Sequence, residues 1–293
     1  MPRFDTPTPI TVDVDLGAGD VRLHAGERTD TIVTVTPSDP GQRSDVSAAH
    51  DTHVECVGGR LSVRGPKTWR RLTPFGAGGS VDVVIELPVG SDIGGRLTFG
   101  QLVATGQLGS CRLSAGAGDI RVERAGEIDL STGAGDIAVE LATGGRIGTG
   151  SGDVRLAAIR GSTVIKSSNG DSHIGEADGR LEMKGANSSF TVDRARGQIT
   201  AKTSLGDIRL GDVTGGTVDA HTGCGSVEIA VGSGVAAWLD LHTKFGVVSS
   251  ELVDTAPPDS SEGSVEVIAR TRIGDITIRR ASDVRLAQAL GQR

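Results

Sequence analysis

Aromatic side chains make up only 2% of this chain of 293 residues, and tyrosine is absent. A wide globular core filled by large rings is therefore excluded, and the buried space must be thin and lined by Val, Ile, Leu and small residues. Three cysteines, Cys56, Cys111 and Cys224, are odd in number and far apart, so no disulfide framework is implied. No apolar run approaches the ~20 residues that span a bilayer as a helix. The opening "MPRFDTPTPITVDVD" lacks the basic start and apolar stretch of a signal peptide, which leads to the expectation of a cytoplasmic protein. A net charge of −7 with both signs well mixed argues against a nucleic-acid partner, because phosphate neutralisation needs a basic surface.

What is abundant is glycine, 44 residues without the every-third register of collagen. The glycines mark a repeat. The phrases "GAGDI" (116–120), "GAGDI" (133–137) and "GSGDV" (150–154) are near-copies, and "NGDSHI", "LGDIRL", "CGSVEI", "FGVV" and "IGDITI" continue the register. With the corner residue as origin, the copies fall at Gly100, Gly118, Gly135, Gly152, Gly170, Ser188, Gly206, Gly225, Gly246 and Gly274. Their spacing is 17–19 residues except for the last two steps of 21 and 28, the last holding the insertion "ELVDTAPPDSSEGS". A second glycine column about half a repeat later (Gly109, Gly126, Gly144, Gly161) gives each repeat two turns and two short strands.

Alternation around the corner confirms strands. Two residues after it stand Ile120, Ile137, Val154, Phe190, Ile208 and Ile276; four after it stand Val122, Val139, Leu156, Val192 and Ile278; Arg121, Arg155 and Arg209 lie between. Apolar-in, polar-out at period two is the strand signature. Five residues before the corner, Leu113, Leu130, Ile147, Ile165, Met183 and Leu241 mark the returning strand. These patterns predict an all-β protein, a single β-solenoid (β-helix) with coils of 17–19 residues. Residues 1–95 form a less regular strand-rich N-terminal cap, 96–280 the regular coils, and 281–293 a C-terminal tail or short helix.

Repeated G-[ADNS]-G-D-[IV]-x-[VIL] coils behind an "IELP" strand resemble the putative-adhesin, DUF4097-type β-strand-repeat proteins of bacteria, from about Thr11 to Arg280. The resemblance implies a β-solenoid with no established enzymatic activity.

Several residue sets invite chemistry. The aspartates one residue past the corner, Asp119, Asp136, Asp153, Asp171, Asp207 and Asp275, suggest calcium, as in Gly-Asp repeats of calcium-binding β-rolls. Calcium wants six to eight oxygens, and one carboxylate per coil is too few. Turn amides give these carboxylates a structural use, and no metal or cofactor is expected. Four residues before the corner, Lys166, Lys184, Lys202, His221, His242 and Arg270 form an outward basic ridge in six consecutive coils, a possible seat for an anionic partner or else a solvated face. Trp69, Arg70, Arg71 and Phe75 share one loop and suit an interface. His50, His53 and Cys56 have metal-ligand chemistry, but His53 and Cys56 face opposite sides of a strand, which places a buried Cys56 beside exposed histidines.

No nucleophile elbow, phosphate loop or HExxH occurs, and the Asp column offers no distinguished carboxylate pair. The expectation is a non-catalytic structural or protein-interaction module. The alternatives are a calcium-dependent or surface adhesin and a scaffold that polymerises through its coil edges.

Overall fold

The computed structural model describes residues 2–66, 79–252 and 264–281. The chain is all-β, with one short helix among the described residues, and it forms two compact units, Met1–Gly170 and Asp171–Arg293. The loop holding Trp69, Arg70, Arg71 and Phe75, the insertion at 253–263 and the segment 282–293 lie outside the described residues.

Unit 1 begins with β1 (Arg3–Asp5), β2 (Thr11–Ala18), β3 (Val21–Gly26) and β4 (Asp30–Pro37). Helix α1 (Arg43–Asp51) follows, then the antiparallel hairpin β5 (His53–Val57) and β6 (Arg60–Arg64). The repeats proper run through β7 (Val81–Pro88), β8 (Asp92–Phe99), β9 (Leu102–Gln107), β10 (Cys111–Ala117), β11 (Ile120–Ala134), β12 (Ile137–Ser151), β13 (Val154–Ile159) and β14 (Thr163–Asn169). Adjacent repeats pair in parallel at the spacing read from the corners: Ile120 lies beside Ile137 and Ile137 beside Val154, all three fully buried. Each such side chain contributes roughly 1.5–3 kcal/mol by leaving water.

Stacking order departs from chain order at the start of unit 1. Strand β2 lies between β6 and β8, and β3 between β7 and β9, so the first repeat sits one layer in. The outermost parallel layer, β6 with β7, is covered by antiparallel partners: β5 on β6, β4 on β7, and β1 on β4. Helix α1, which the strand-based reading of residues 1–95 did not foresee, packs on β4 and β7. Its Asp45 carboxylate accepts the amides of Ser80 and Asp39, and Ala48 is its buried apolar contact.

Unit 2 holds β15 (Ser172–Asn187), β16 (Phe190–Leu205), β17 (Ile208–Cys224), β18 (Val227–Val231), β19 (Ala236–Phe245), β20 (Val248–Ser250), β21 (Ser264–Ile273) and β22 (Ile276–Arg280). Strands β15, β16 and β17 pair in parallel in succession. The one aromatic ring packed fully inside this unit's described core, Phe190, has room because Gly185 stands where the other repeats of this unit carry Thr; a Cβ there would meet the Phe190 ring tip at 3.0 Å.

After β17 the order changes again. Strand β17 pairs with β21 rather than with β19, and β18 pairs with β22 rather than with β20. Strands β19 and β20 lie on the far side of β21 and β22. The amide of Gly225 donates to the Ile273 carbonyl and that of Gly274 to the Phe245 carbonyl, both at 2.9 Å. The ridge residues therefore stack His221–Arg270–His242, which corrects the expectation that they follow one another in chain order. The repeat signal cannot distinguish these orders, because every layer presents the same apolar ladder to either neighbour.

Candidate interaction surfaces

At each corner the backbone turns sharply and the next repeat lies directly on top. Gly135 has φ +142°, and a Cβ there would stand 2.3 Å from the Gly118 carbonyl oxygen, so only glycine fits. The following aspartate bridges to the neighbouring repeat. The Oδ1 of Asp119 accepts the amide of Asp136 at 3.0 Å, and that of Asp136 accepts the amide of Asp153 at 2.8 Å. In unit 2, Asp171 accepts from Ser189, Asp207 from Ser226, and Asp275 from Val247, the last pair again following the swapped order. The second oxygen often takes an arginine two residues on: Arg121 on Asp119 at 2.9 Å, Arg155 on Asp153 at 2.7 Å and Arg209 on Asp207 at 2.7 Å. These carboxylates spend their acceptor capacity on amides and guanidinium groups. Among the described residues no three His, Cys, Asp or Glu side chains are grouped to hold a metal ion.

A threonine column, not singled out in the sequence, completes the clamp. The hydroxyls of Thr132, Thr149, Thr222 and Thr271, three residues before their corners, donate to the corner carbonyls of Gly118, Gly135, Gly206 and Gly225. The column is visible once the corners are aligned, but its polar residues sit at inward positions that the apolar pattern passes over.

The basic ridge is divided between the units. Lys166 is exposed on β14 in unit 1, and the other five residues lie in unit 2. There an acidic row two residues upstream faces the ridge: Lys184 pairs with Glu182 at 2.5 Å, Lys202 with Asp219 at 3.0 Å, and Arg270 with Asp240 at 3.1 Å. His221 lies 2.6 Å from Asp219, and His242 is exposed on β19. Burial raises the Asp219 carboxyl, but the Lys202 hydrogen bond and the charges of His221 and Lys202 outweigh it and hold its pKa below the usual value. The sequence reading missed Glu182, Asp219 and Asp240, whose common offset from the corner is the signal that would have found them.

His50 and His53 are exposed, on α1 and β5, and Cys56 is half-buried on the other face of β5, its thiol pKa raised by burial. Cys111 is buried at an inward position, and burial, helped by the nearby Asp92 charge, pushes its thiol up to about 12.

A concavity of about 1470 Å³ within unit 1 is lined by residues of β2, β6, β8, β10 and β11. Its floor is low because Gly94 takes the outward position between Asp13 and Arg112. Gly95, next to it, leaves space that the Leu113 side chain occupies; a Cβ there would lie 2.8 Å from Leu113 Cδ2. The rim carries both signs. Arg64 approaches Asp13 at 3.8 Å, and Asp92 accepts the amide and hydroxyl of Ser110 at 2.7 and 2.9 Å. The exposed guanidinium groups of Arg96 and Arg112 complete the lining. No helix among the described residues is long and apolar enough to cross a membrane.

The sequence profile of the Toastrack DUF4097 family matches residues 9–279. Among curated proteins, none matches the chain. Similar solved structures include a Bacteroides fragilis protein described as a putative adhesin, 12% identical with a TM-score of 0.38 over 94% of this chain and 95% of that one. A putative adhesin from Parabacteroides merdae is 13% identical, with a TM-score of 0.45 over 94% of each chain. A Parabacteroides distasonis protein described as a putative lipid binding protein is 13% identical, with a TM-score of 0.38 over 95% of this chain and 96% of that one.

Proposed function

The chain belongs to the Toastrack DUF4097 family, and on that footing we propose that it is a β-solenoid acting as a non-catalytic interaction module. Its docking face is the glycine-floored concavity of unit 1. Parallel pairing of successive repeats at the corner spacing supports the solenoid reading. The non-catalytic reading is supported by the use made of the corner carboxylates, which are held by main-chain amides rather than poised as an acid–base pair.

The observation that carries the docking face is the floor at Gly94 between Asp13 and Arg112. It leaves an open trough, bordered by Arg96 and Arg112, for an extended peptide whose acidic side chains pair with those guanidinium groups. The ridge of unit 2 is a weaker candidate, since Lys184, Lys202 and Arg270 already face carboxylates.

The test is capture of protein partners by the immobilised full chain. Arg96→Glu/Arg112→Glu is expected to abolish capture, and Lys184→Ala/Lys202→Ala to leave it intact. Capture unaffected by the arginine pair would overturn the assignment of this face.

A further inference from the structure

Strand β19 ends its sheet with one edge open. It pairs with β21, and β20 with β22, and no described strand lies on their other side. The open edge exposes the end of the core. Leu239 and Leu241, at inward positions, are half-buried, whereas their ladder neighbours Val267 and Ala269 are fully buried. Trp238 and Phe245 are each 61% exposed, and Val247 and Val248 beside them are exposed too. The chain has only two Trp and five Phe, so two of its seven aromatic residues stand in the open on one strand. The outermost parallel layer of unit 1, by contrast, is covered by antiparallel strands. A bare edge with unpaired amides and carbonyls and apolar neighbours is a template for another strand.

The sequence of β19 says which strand fits. From Trp238 to Lys244 it reads Trp-Leu-Asp-Leu-His-Thr-Lys. We infer that two copies of this chain dimerise by antiparallel pairing of β19 with β19 about a two-fold axis at Leu241. In that register Asp240 of one copy faces His242 of the other, Trp238 faces Lys244, and Leu241 faces its own counterpart. The first two contacts occur twice, and the last lies on the axis. The Asp240 Oδ2 already accepts from Arg270 within its own chain, and its Oδ1 meets the imidazole donor, while the ammonium meets an indole face; Lys244 already leans over an aromatic ring, lying 5.5 Å from the Phe245 centroid. Centring the pair on Asp240 would set two carboxylates against each other, and centring it on His242 would set two imidazoles together.

Such an interface is isologous, so it closes at two copies and does not propagate into a filament. The inference rests on the reading of the protein as an interaction module and names one partner, a second copy. It uses a different surface from the unit 1 trough, so the two can fail separately.

The experiment is sedimentation velocity on the purified full chain from low micromolar to several hundred micromolar. The mass is expected to rise to twice that of the chain and stop. Asp240→Lys, which also removes the partner of Arg270, is expected to raise the dimer dissociation constant at least about tenfold, and Asp240→Lys/His242→Asp, which leaves Arg270 equally without Asp240, to recover most of that loss by exchanging the charges across the interface. Circular dichroism melts show whether each variant is folded. Register is read by oxidation in a Cys56→Ser/Cys224→Ser background. Leu241→Cys should cross-link into a dimer, and Trp238→Cys should not, because its two copies would lie about 20 Å apart at ~3.3 Å per residue.

A monomer at every concentration, growth beyond two copies, or equal cross-linking at both positions would overturn the inference. A monomer that still captures a partner through Arg96 and Arg112 would overturn the dimer alone. A dimer whose capture ignores those arginines would overturn the docking face alone.

Discussion

The Oδ1 of Asp136 accepts the main-chain amide of Asp153 at 2.8 Å, across one full repeat of seventeen residues. The same carboxylate thus follows a corner glycine in its own repeat and holds the corner of the next. Replacing Asp136 by Ala leaves that amide without its charged acceptor and is expected to cost about 1–3 kcal/mol in chemical denaturation. Asp136→Asn keeps an acceptor oxygen and should cost less than half as much. Equal losses for the two variants would show that the hydrogen bond is not what the aspartate provides.

The same geometry predicts the response to calcium. The corner carboxylates are occupied by amides and by arginines such as Arg121, Arg155 and Arg209. A ligand that binds only the folded state must raise its melting temperature. Melts in millimolar calcium and in EDTA are therefore expected to superimpose. A rise with calcium would reopen the calcium-dependent adhesin reading.

Thiol chemistry follows burial. Cys111 is buried, with its pKa pushed up to about 12, so almost none is thiolate at neutral pH. A native titration with a chromogenic disulfide reagent is expected to leave Cys111 unmodified until denaturant is added. Peptide mapping identifies the modified positions, and rapid labelling of Cys111 in the folded chain would contradict its placement.

Acid sensitivity should be traceable to Asp219, which pairs with Lys202 and lies beside His221. Its folded pKa is depressed, so its stabilising effect is fully present above the unfolded carboxylate value near ~3.9 and is lost as pH falls through the lower folded value. The melting temperature of the native chain should exceed that of Asp219→Asn by its full margin near pH 5 and by a shrinking one below about pH 4. A margin that stays constant into strong acid would show that the carboxylate charge plays no part.

The regular repeats were legible because their signals are local. Ile120, Ile137 and Val154 sit two residues after their corners, and the structure pairs them in that register. Cys111 was readable as an inward filler for the same reason. The candidate surfaces were less legible. The acidic row at Glu182, Asp219 and Asp240 changes the ridge from a bare basic strip into paired charges, and it appears only when two outward columns are read together. The trough of unit 1 depends on what Gly94 omits, and a missing side chain shapes a surface only through the neighbours around it.

By itself the amino-acid order determined that this chain is all-β, where its corners fall, and which side chains turn inward, since period-two alternation and a glycine of positive φ act within a few residues. The tertiary structure alone decided the order of stacking. Strand β2 enters between β6 and β8, and β21 between β17 and β19; irregular spacing marks both places in the sequence but does not say which neighbour each strand meets. The physical reason is that every repeat offers the same ladder of amides, carbonyls and apolar side chains to a neighbour on either side. Which neighbour arrives depends on the non-local packing of whole layers, and that choice is also what leaves β19, with Leu239 and Leu241 half-buried, at the open edge of unit 2.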